Sequence, residues 1–348
     1  MCRSKSYGAL DVFRLIAAAL VIAIHTSVFT SINTELDFVV TRIFARVAVP
    51  FFFMVTGHFM MTAEPKRVIR WFRKMLCLYG GVILLYLPLG IYAGYWKGRT
   101  AGGILKMLLF DGTFYHLWYF PACILGFLIV YLGCRVMKPQ IMLIISVILY
   151  AIGLLGDSYY GLTAMQPVGE RVYESIFAIS SYTRNGVFFA PVFMLLGSKI
   201  GQSYRREQPK RRAGVYRDRV KWAAGLLVSM SAMTAEGLWL HHMQWQRHDS
   251  MYVCLIPVMV CLYELLMRIN CREHPVDRKW AMWVYMIHPI WIVVIRGAAK
   301  LLHMTALLVE QSVVFYILVV TGSFATAIMT GGVKDYVTQK KCNSNRGC

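Results

Sequence analysis

The chain's 348 residues are 58% hydrophobic and only 16% charged, more apolar surface than one soluble core could hide. The same abundance of apolar and aromatic residues excludes disorder. Its 37 Lys and Arg against 17 Asp and Glu, a net charge of +20, would suggest nucleic acid in a soluble protein. Here the bases gather in alternate loops, as the positive-inside rule requires, and no nucleic-acid partner is implied.

Apolar runs of about 20 residues, broken by short charged loops, read as helices crossing a hydrocarbon layer of about 30 Å. In chain order the predicted spans are 10–29, 38–61, 75–95, 117–137, 141–156, 185–201, 222–240, 251–267, 281–299 and 312–329. The first reads as a full-length span and not as a cleavable leader, because it lacks a small-residue cleavage site. The expectation is an all-α integral membrane bundle of about ten transmembrane helices. Residues 1–335 would form the membrane domain and 336–348 a short cytoplasmic tail.

Orientation follows from the bases. Lys66, Arg67, Arg70, Arg73 and Lys74 share one set of loops with Arg135, Lys138, the run 205–221, Arg272, Arg278, Lys279, Lys334, Lys340 and Lys341. With Arg3 and Lys5 they fall on one side if the helix count is even. That side, and both termini, are expected in the cytoplasm of a plasma-membrane protein, with the basic loops on membrane lipid. Two loops on the other side, 96–116 and 157–184, are long enough to have a role of their own. Five of the nine cysteines lie in apolar runs and no CxxC spacing occurs, so neither a disulfide framework nor zinc is expected. His241 and His242 are adjacent, face different ways on a helix and make a poor ligand pair, so no metal is expected.

Ionisable residues inside a span are costly and mark function by default. Arg14 and His25 stand eleven positions apart on the first span, which places them within about 20° of one face and about 16 Å apart along the axis. On the second, Arg42 and Arg46 are four apart and Pro50 follows, so a kink and a freed carbonyl are expected at Arg46. Thr56 and His58 come next. Together these residues predict a polar cavity. Beyond the span, Arg70 and Arg73 present two forks at the cytoplasmic mouth, suited to phosphate oxygens or to membrane anchoring. Trp118 and Tyr119 open the fourth span as an interfacial belt. Further candidates are Arg184 at the edge of the sixth span, Glu236 in the seventh and His288 in the ninth.

Read together, these segments resemble acyltransferase family 3, the ten-helix membrane acyltransferases. Arg14 through His25 resembles that family's basic-x10-histidine motif, and PFFFMVTG at 50–57 resembles its FFxxSG segment with Thr56 in the serine place. Arg70 and Arg73 resemble its RxxR pair, HLWYF at 116–120 the start of a central helix, and VYMIHP at 284–289 a late YLxHxP segment. The wording of residues 13–27 and 40–57 is further similar to the membrane domain of VanT-type serine racemases, in which a cytoplasmic pyridoxal-phosphate racemase domain follows the membrane part.

The resemblance implies two functions. In the first, acyl-CoA is the donor substrate, its phosphates dock on Arg70 and Arg73, and its arm passes Arg14. His25 is then the general base on a hydroxyl of a carbohydrate, lipid or envelope-glycan acceptor. An oxyanion role for Arg46 or Arg42 follows from their depth, not from the family. In the second, the domain supplies or transports L-serine for a racemase, a carboxylate being held by the arginines. Residues 330–348 are too few for a racemase fold, so no pyridoxal-phosphate site is expected here and the racemase would be a separate partner. A third reading, a docking platform for a cytoplasmic protein, rests on the basic loops alone.

Overall fold

Every element among the described residues is helical. The computed structural model describes residues 7–207, 215–271 and 275–344. Arg3, Lys5, Arg272, the middle of the basic run 205–221 and the end of the predicted tail lie outside them. In chain order the helices are α1 (Gly8–Thr26), α2 (Thr34–Asp37), α3 (Ala48–Met60), α4 (Pro65–Tyr92), α5 (Ala101–Lys106), α6 (Tyr119–Val136), α7 (Pro139–Leu155) and α8 (Tyr160–Ala164). They continue as α9 (Pro167–Ile179), α10 (Ala190–Glu207), α11 (Val215–Met243), α12 (Leu255–Leu266), α13 (Pro275–Leu301), α14 (Thr305–Leu308) and α15 (Ser312–Ser344). The last runs without a break through position 335.

Among the described residues, seven segments are long and apolar enough to cross a membrane: Gly8–Thr26, Thr34–Met60, Pro65–Tyr92, Tyr119–Val136, Arg217–Met243, Lys279–Leu301 and Ser312–Thr330. They correspond to seven of the ten predicted runs. The other three fall on shorter or more polar helices, and the hydrogen bonds explain why two of them start late. Asn185 Oδ1 accepts from the N–H groups of Val187 and Phe188, holding residues 185–189 in turns before α10. Asp157 Oδ1 accepts from Ser250 and Met251, and Glu236 accepts from Val253 and Cys254. The backbone of 250–254 is thus satisfied by carboxylates and not by a helical ladder, and α12 begins only at Leu255.

The chain divides into two units, Met1–Ala48 with Ile269–Cys348, and Val49–Arg268. In the first, α1 packs on α13 and α15, and α13 packs on α15. The inward stripe of α1 is Leu10, Arg14, Ala17, Ala18, Val21 and Ile22, steps of three or four that keep one face of a helix buried. Ala18 and Ile22 meet Val284, Ile292, Phe315 and Val319 in a common core. Ser27 adopts a left-handed conformation (φ 50°) and ends α1. The following loop is tied down by a clasp: Ser31 and Ser312 exchange hydrogen bonds from N–H to hydroxyl, each 3.1 Å, and Ser312 Oγ donates to the Val28 carbonyl at 2.9 Å.

The second predicted span is not one regular helix. Asn33 caps α2, its Oδ1 accepting from Leu36 N–H at 2.8 Å. The chain then widens into a π-helical stretch, Phe38–Ile43, and tightens into a 3-10 stretch, Phe44–Val47, before α3. The irregularity expected at Pro50 thus lies just before it, and it carries both Arg42 and Arg46. Such stretches recur at functional sites.

In the second unit α3 and α10 cross at backbone contact. A Cβ built on Gly57 would lie 1.8 Å from the Met194 carbonyl oxygen, and one on Gly197 would lie 2.0 Å from that of Met54. The contact is reciprocal, small residues letting two helices meet with no side chain between them. Gly57→Leu should therefore separate the helices. The expected loss is about 3 kcal/mol or more, since neither backbone can yield as a flexible side chain would. A thermal-unfolding midpoint equal to wild type in detergent would refute this account of Gly57.

Candidate functional site

The first unit brings together two of the predicted histidines. His25 is in the last turn of α1 and half-buried; His288 is on α13 and fully buried. Their rings stack with centroids 5.3 Å apart and planes inclined by 21°. His288 Nδ1 lies 2.8 Å from the Tyr285 carbonyl oxygen and 3.3 Å from that of Val284. A carbonyl only accepts, so a hydrogen bond at either distance requires the hydrogen on Nδ1.

Arg14, about three turns before His25 on α1, is buried and forms an ion pair with Asp11, itself fully buried. Asp11 was not singled out from the sequence. The signal was present as DVFR, a spacing of three that places opposite charges on neighbouring positions of a helix. Arg42 and Arg46, on the π-helical and 3-10 stretches of this unit, are both half-buried. Because the winding changes between them, their spacing of four no longer aligns them as it would on an α-helix.

The other predicted residues belong to the second unit. Thr56 donates to the Phe52 carbonyl at 3.0 Å and lies 3.9 Å from Cys123 Sγ. Arg70 and Arg73 stand exposed on α4, on either side of Trp71, which packs on Phe127. Arg184 donates to Ser250 Oγ at 2.8 Å and lies over the rings of Tyr182 and Trp118, 4.3 and 5.3 Å from their centroids. Glu236 is engaged as a helix cap: besides Val253 and Cys254, it accepts from the Tyr159 hydroxyl at 2.8 Å. Asp157 was also missed from the sequence. It is fully buried and holds the 250–251 turn.

Tyr159 lies between α7 and α8. Burial, and the hydrogen bond and charge of Glu236, hold its phenol well above the ordinary tyrosine range. A phenol whose pKa is raised on folding contributes stability that is complete below the unfolded value and lost as pH rises through the folded one. The unfolding midpoint should therefore fall as pH rises beyond about 10. Tyr159→Phe should flatten that slope and lower stability at neutral pH by about 1.5–3 kcal/mol. A slope unchanged in Tyr159→Phe would exclude Tyr159 as its source.

Residues 7–331 match the family model of the acyltransferase-3 type, described as an acyltransferase domain, and the chain belongs to that family of multi-pass membrane proteins. Among curated relatives, it is 38% identical to an amino-acid racemase of Enterococcus faecalis over 351 residues, 98% of this chain and 47% of the relative. It is 34% identical to a serine/alanine racemase of Enterococcus gallinarum, over 81% of this chain and 40% of the relative. The chain thus spans less than half the length of the curated relatives it matches. No solved structure matches it significantly.

Proposed function

We propose that the chain is a plasma-membrane acyltransferase that moves an acyl group from cytoplasmic acyl-CoA to a hydroxyl of a carbohydrate, lipid or envelope glycan. The observation that carries this reading is the stacked His25–His288 pair in a member of the acyltransferase-3 family. His25 takes the proton of the acceptor hydroxyl while its oxygen attacks the thioester carbonyl. The tetrahedral oxyanion is stabilised by a guanidinium, Arg46 or Arg42. It collapses with loss of the CoA thiolate, which takes up the proton, and the acyl ester remains. Arg70 and Arg73, exposed on α4, suit the phosphates of the donor by charge and by fork geometry. Arg14, neutralised by Asp11, supports the site and does not itself supply a net charge.

A second reading is favoured by the names of the relatives. As amino-acid and serine/alanine racemases, they point to L-serine supply for a racemase, as partner or on the same polypeptide, with an arginine receiving the carboxylate. One experiment separates the two. Protein reconstituted in vesicles is given acyl-CoA carrying a labelled acyl group, with envelope extract as acceptor, and in parallel labelled L-serine. Thioester cleavage or acyl transfer supports the first reading. Serine uptake without either supports the second.

A further inference from the structure

Pro289 sits inside α13 directly after His288. A proline has no N–H, so within a helix it leaves the carbonyl four residues earlier without its ladder donor. Four residues before Pro289 is Tyr285, and the Tyr285 carbonyl is the group that His288 Nδ1 approaches at 2.8 Å. The defect created by the proline is therefore filled by the imidazole that precedes it. We infer that the His288–Pro289 dipeptide is a tautomer lock that fixes the hydrogen on His288 Nδ1, and that the locked ring serves as the positioning residue for His25.

The chain of causes is short. In an unbroken helix residue 289 would donate to the Tyr285 carbonyl, and a side chain on the same turn would compete with it for that oxygen. With proline there is no competitor. The Nδ1–H bond fixes the rotation of the His288 ring, because a ring bonded at one nitrogen and fully buried has no second orientation to adopt. The face of that ring then sets the plane of His25 at 21° and 5.3 Å. His25 is only half-buried and stands in the last turn of α1, two residues before the left-handed Ser27 that ends the helix. The ring that stacks on it comes from α13, which packs along α1. A base must be held near its productive geometry, and a misplacement of about 1 Å costs up to about 10²-fold in rate.

Treating His25 as a base rests on the acyl-transfer reading above; the lock itself does not. The test therefore has two arms. Protein labelled with 15N in its histidines, in detergent or nanodiscs, is measured by NMR, in which protonated and unprotonated ring nitrogens differ widely in shift; His288 is assigned by its loss in His288→Asn. The expected result is a hydrogen on Nδ1 in wild type, and in Pro289→Ala a mixture of tautomers or transfer of the hydrogen to Nε2. In the kinetic arm, Pro289→Ala should lower kcat about tenfold to 10²-fold with KM little changed, while thermal stability holds, since the helix regains a bond. His288→Asn, whose amide can still donate to the Tyr285 carbonyl but offers no ring, should lose kcat similarly. A hydrogen on Nε2 in wild type, or an unchanged tautomer in Pro289→Ala, overturns the lock. A shifted tautomer with unchanged kcat overturns the positioning role. If Pro289→Ala does not fold, the wild-type spectrum decides the tautomer and His288→Asn the positioning. The expected tautomers with no acyl transfer by the wild type would leave the lock standing and sink the acyl-transfer reading.

Discussion

His25→Ala is expected to remove acyl transfer while leaving the protein folded. A general base contributes about 10²–10⁴-fold, so a fall smaller than tenfold would be too little for that role. The residue is half-buried at the end of α1, outside the packed core of Ala18, Ile22, Val284 and Phe315, so its truncation removes a ring contact and not a core side chain. Donor binding should survive, because Arg70 and Arg73, which suit the donor's phosphates, are on α4 and are unchanged. The measurement is single-turnover acyl transfer beside equilibrium binding of CoA. His25→Gln sharpens it: glutamine can hydrogen-bond but cannot take a proton. Near-normal transfer in His25→Gln would make His25 a hydrogen-bonding residue of the structure. If the wild type moves serine and not acyl groups, and His25→Ala stops the movement, His25 belongs to a solute or proton path.

Asp11→Asn is expected to lower stability by about 3–5 kcal/mol, because it removes the carboxylate that pairs with the buried Arg14 guanidinium. Both groups are well inside the protein, Arg14 at 8% exposure and Asp11 at 0%. That burial decides the size of the effect, since an exposed pair would contribute about 1 kcal/mol at most. The change keeps shape and one acceptor, so the loss reports the charge and not a cavity. The combined Asp11→Asn, Arg14→Gln variant should recover much of the stability, because the charge is then absent from both sides. If the pair also orders the functional face of α1, that double variant will be folded yet slow. Equal unfolding midpoints for wild type and Asp11→Asn would refute the buried-pair account.

What the sequence could and could not show divides along physical lines. Helix content and most of the apolar segments were legible because the bilayer enforces long runs, and seven of the ten predicted runs meet the length and composition of a span. For the break over 38–47, Pro50 pointed to a kink at Arg46 but not to the π and 3-10 winding. A spacing of four between Arg42 and Arg46 looks the same in letters whether the backbone winds as α, π or 3-10. Nor was the late start of α12 legible, since it depends on the carboxylates of Asp157 and Glu236, distant in sequence from the N–H groups they satisfy. Glu236 and Arg184 were visible as anomalies, but their engagement as a cap and as a cation on aromatic rings is a tertiary fact. His25 and His288 were each noticed singly; that their rings stack is set by the packing of α1 on α13. Asp11 was legible and overlooked, one turn from a residue already marked.

The Asp11–Arg14 pair also bears on biosynthesis. The helices that bury α1, α13 and α15, begin roughly 250 residues after α1 has been made, and at about 5–20 residues per second α1 waits some tens of seconds for them. Throughout that interval it must reside in or beside the bilayer without its partners. An arginine that depended on an acid from α13 would face lipid as a bare cation, at a cost of about 2.5–3.5 kcal/mol or more for insertion. With its counter-ion one turn away on the same helix, α1 leaves the ribosome already neutral at that depth. It can be released into lipid as an independent segment, to be clasped by late-made helices when they arrive.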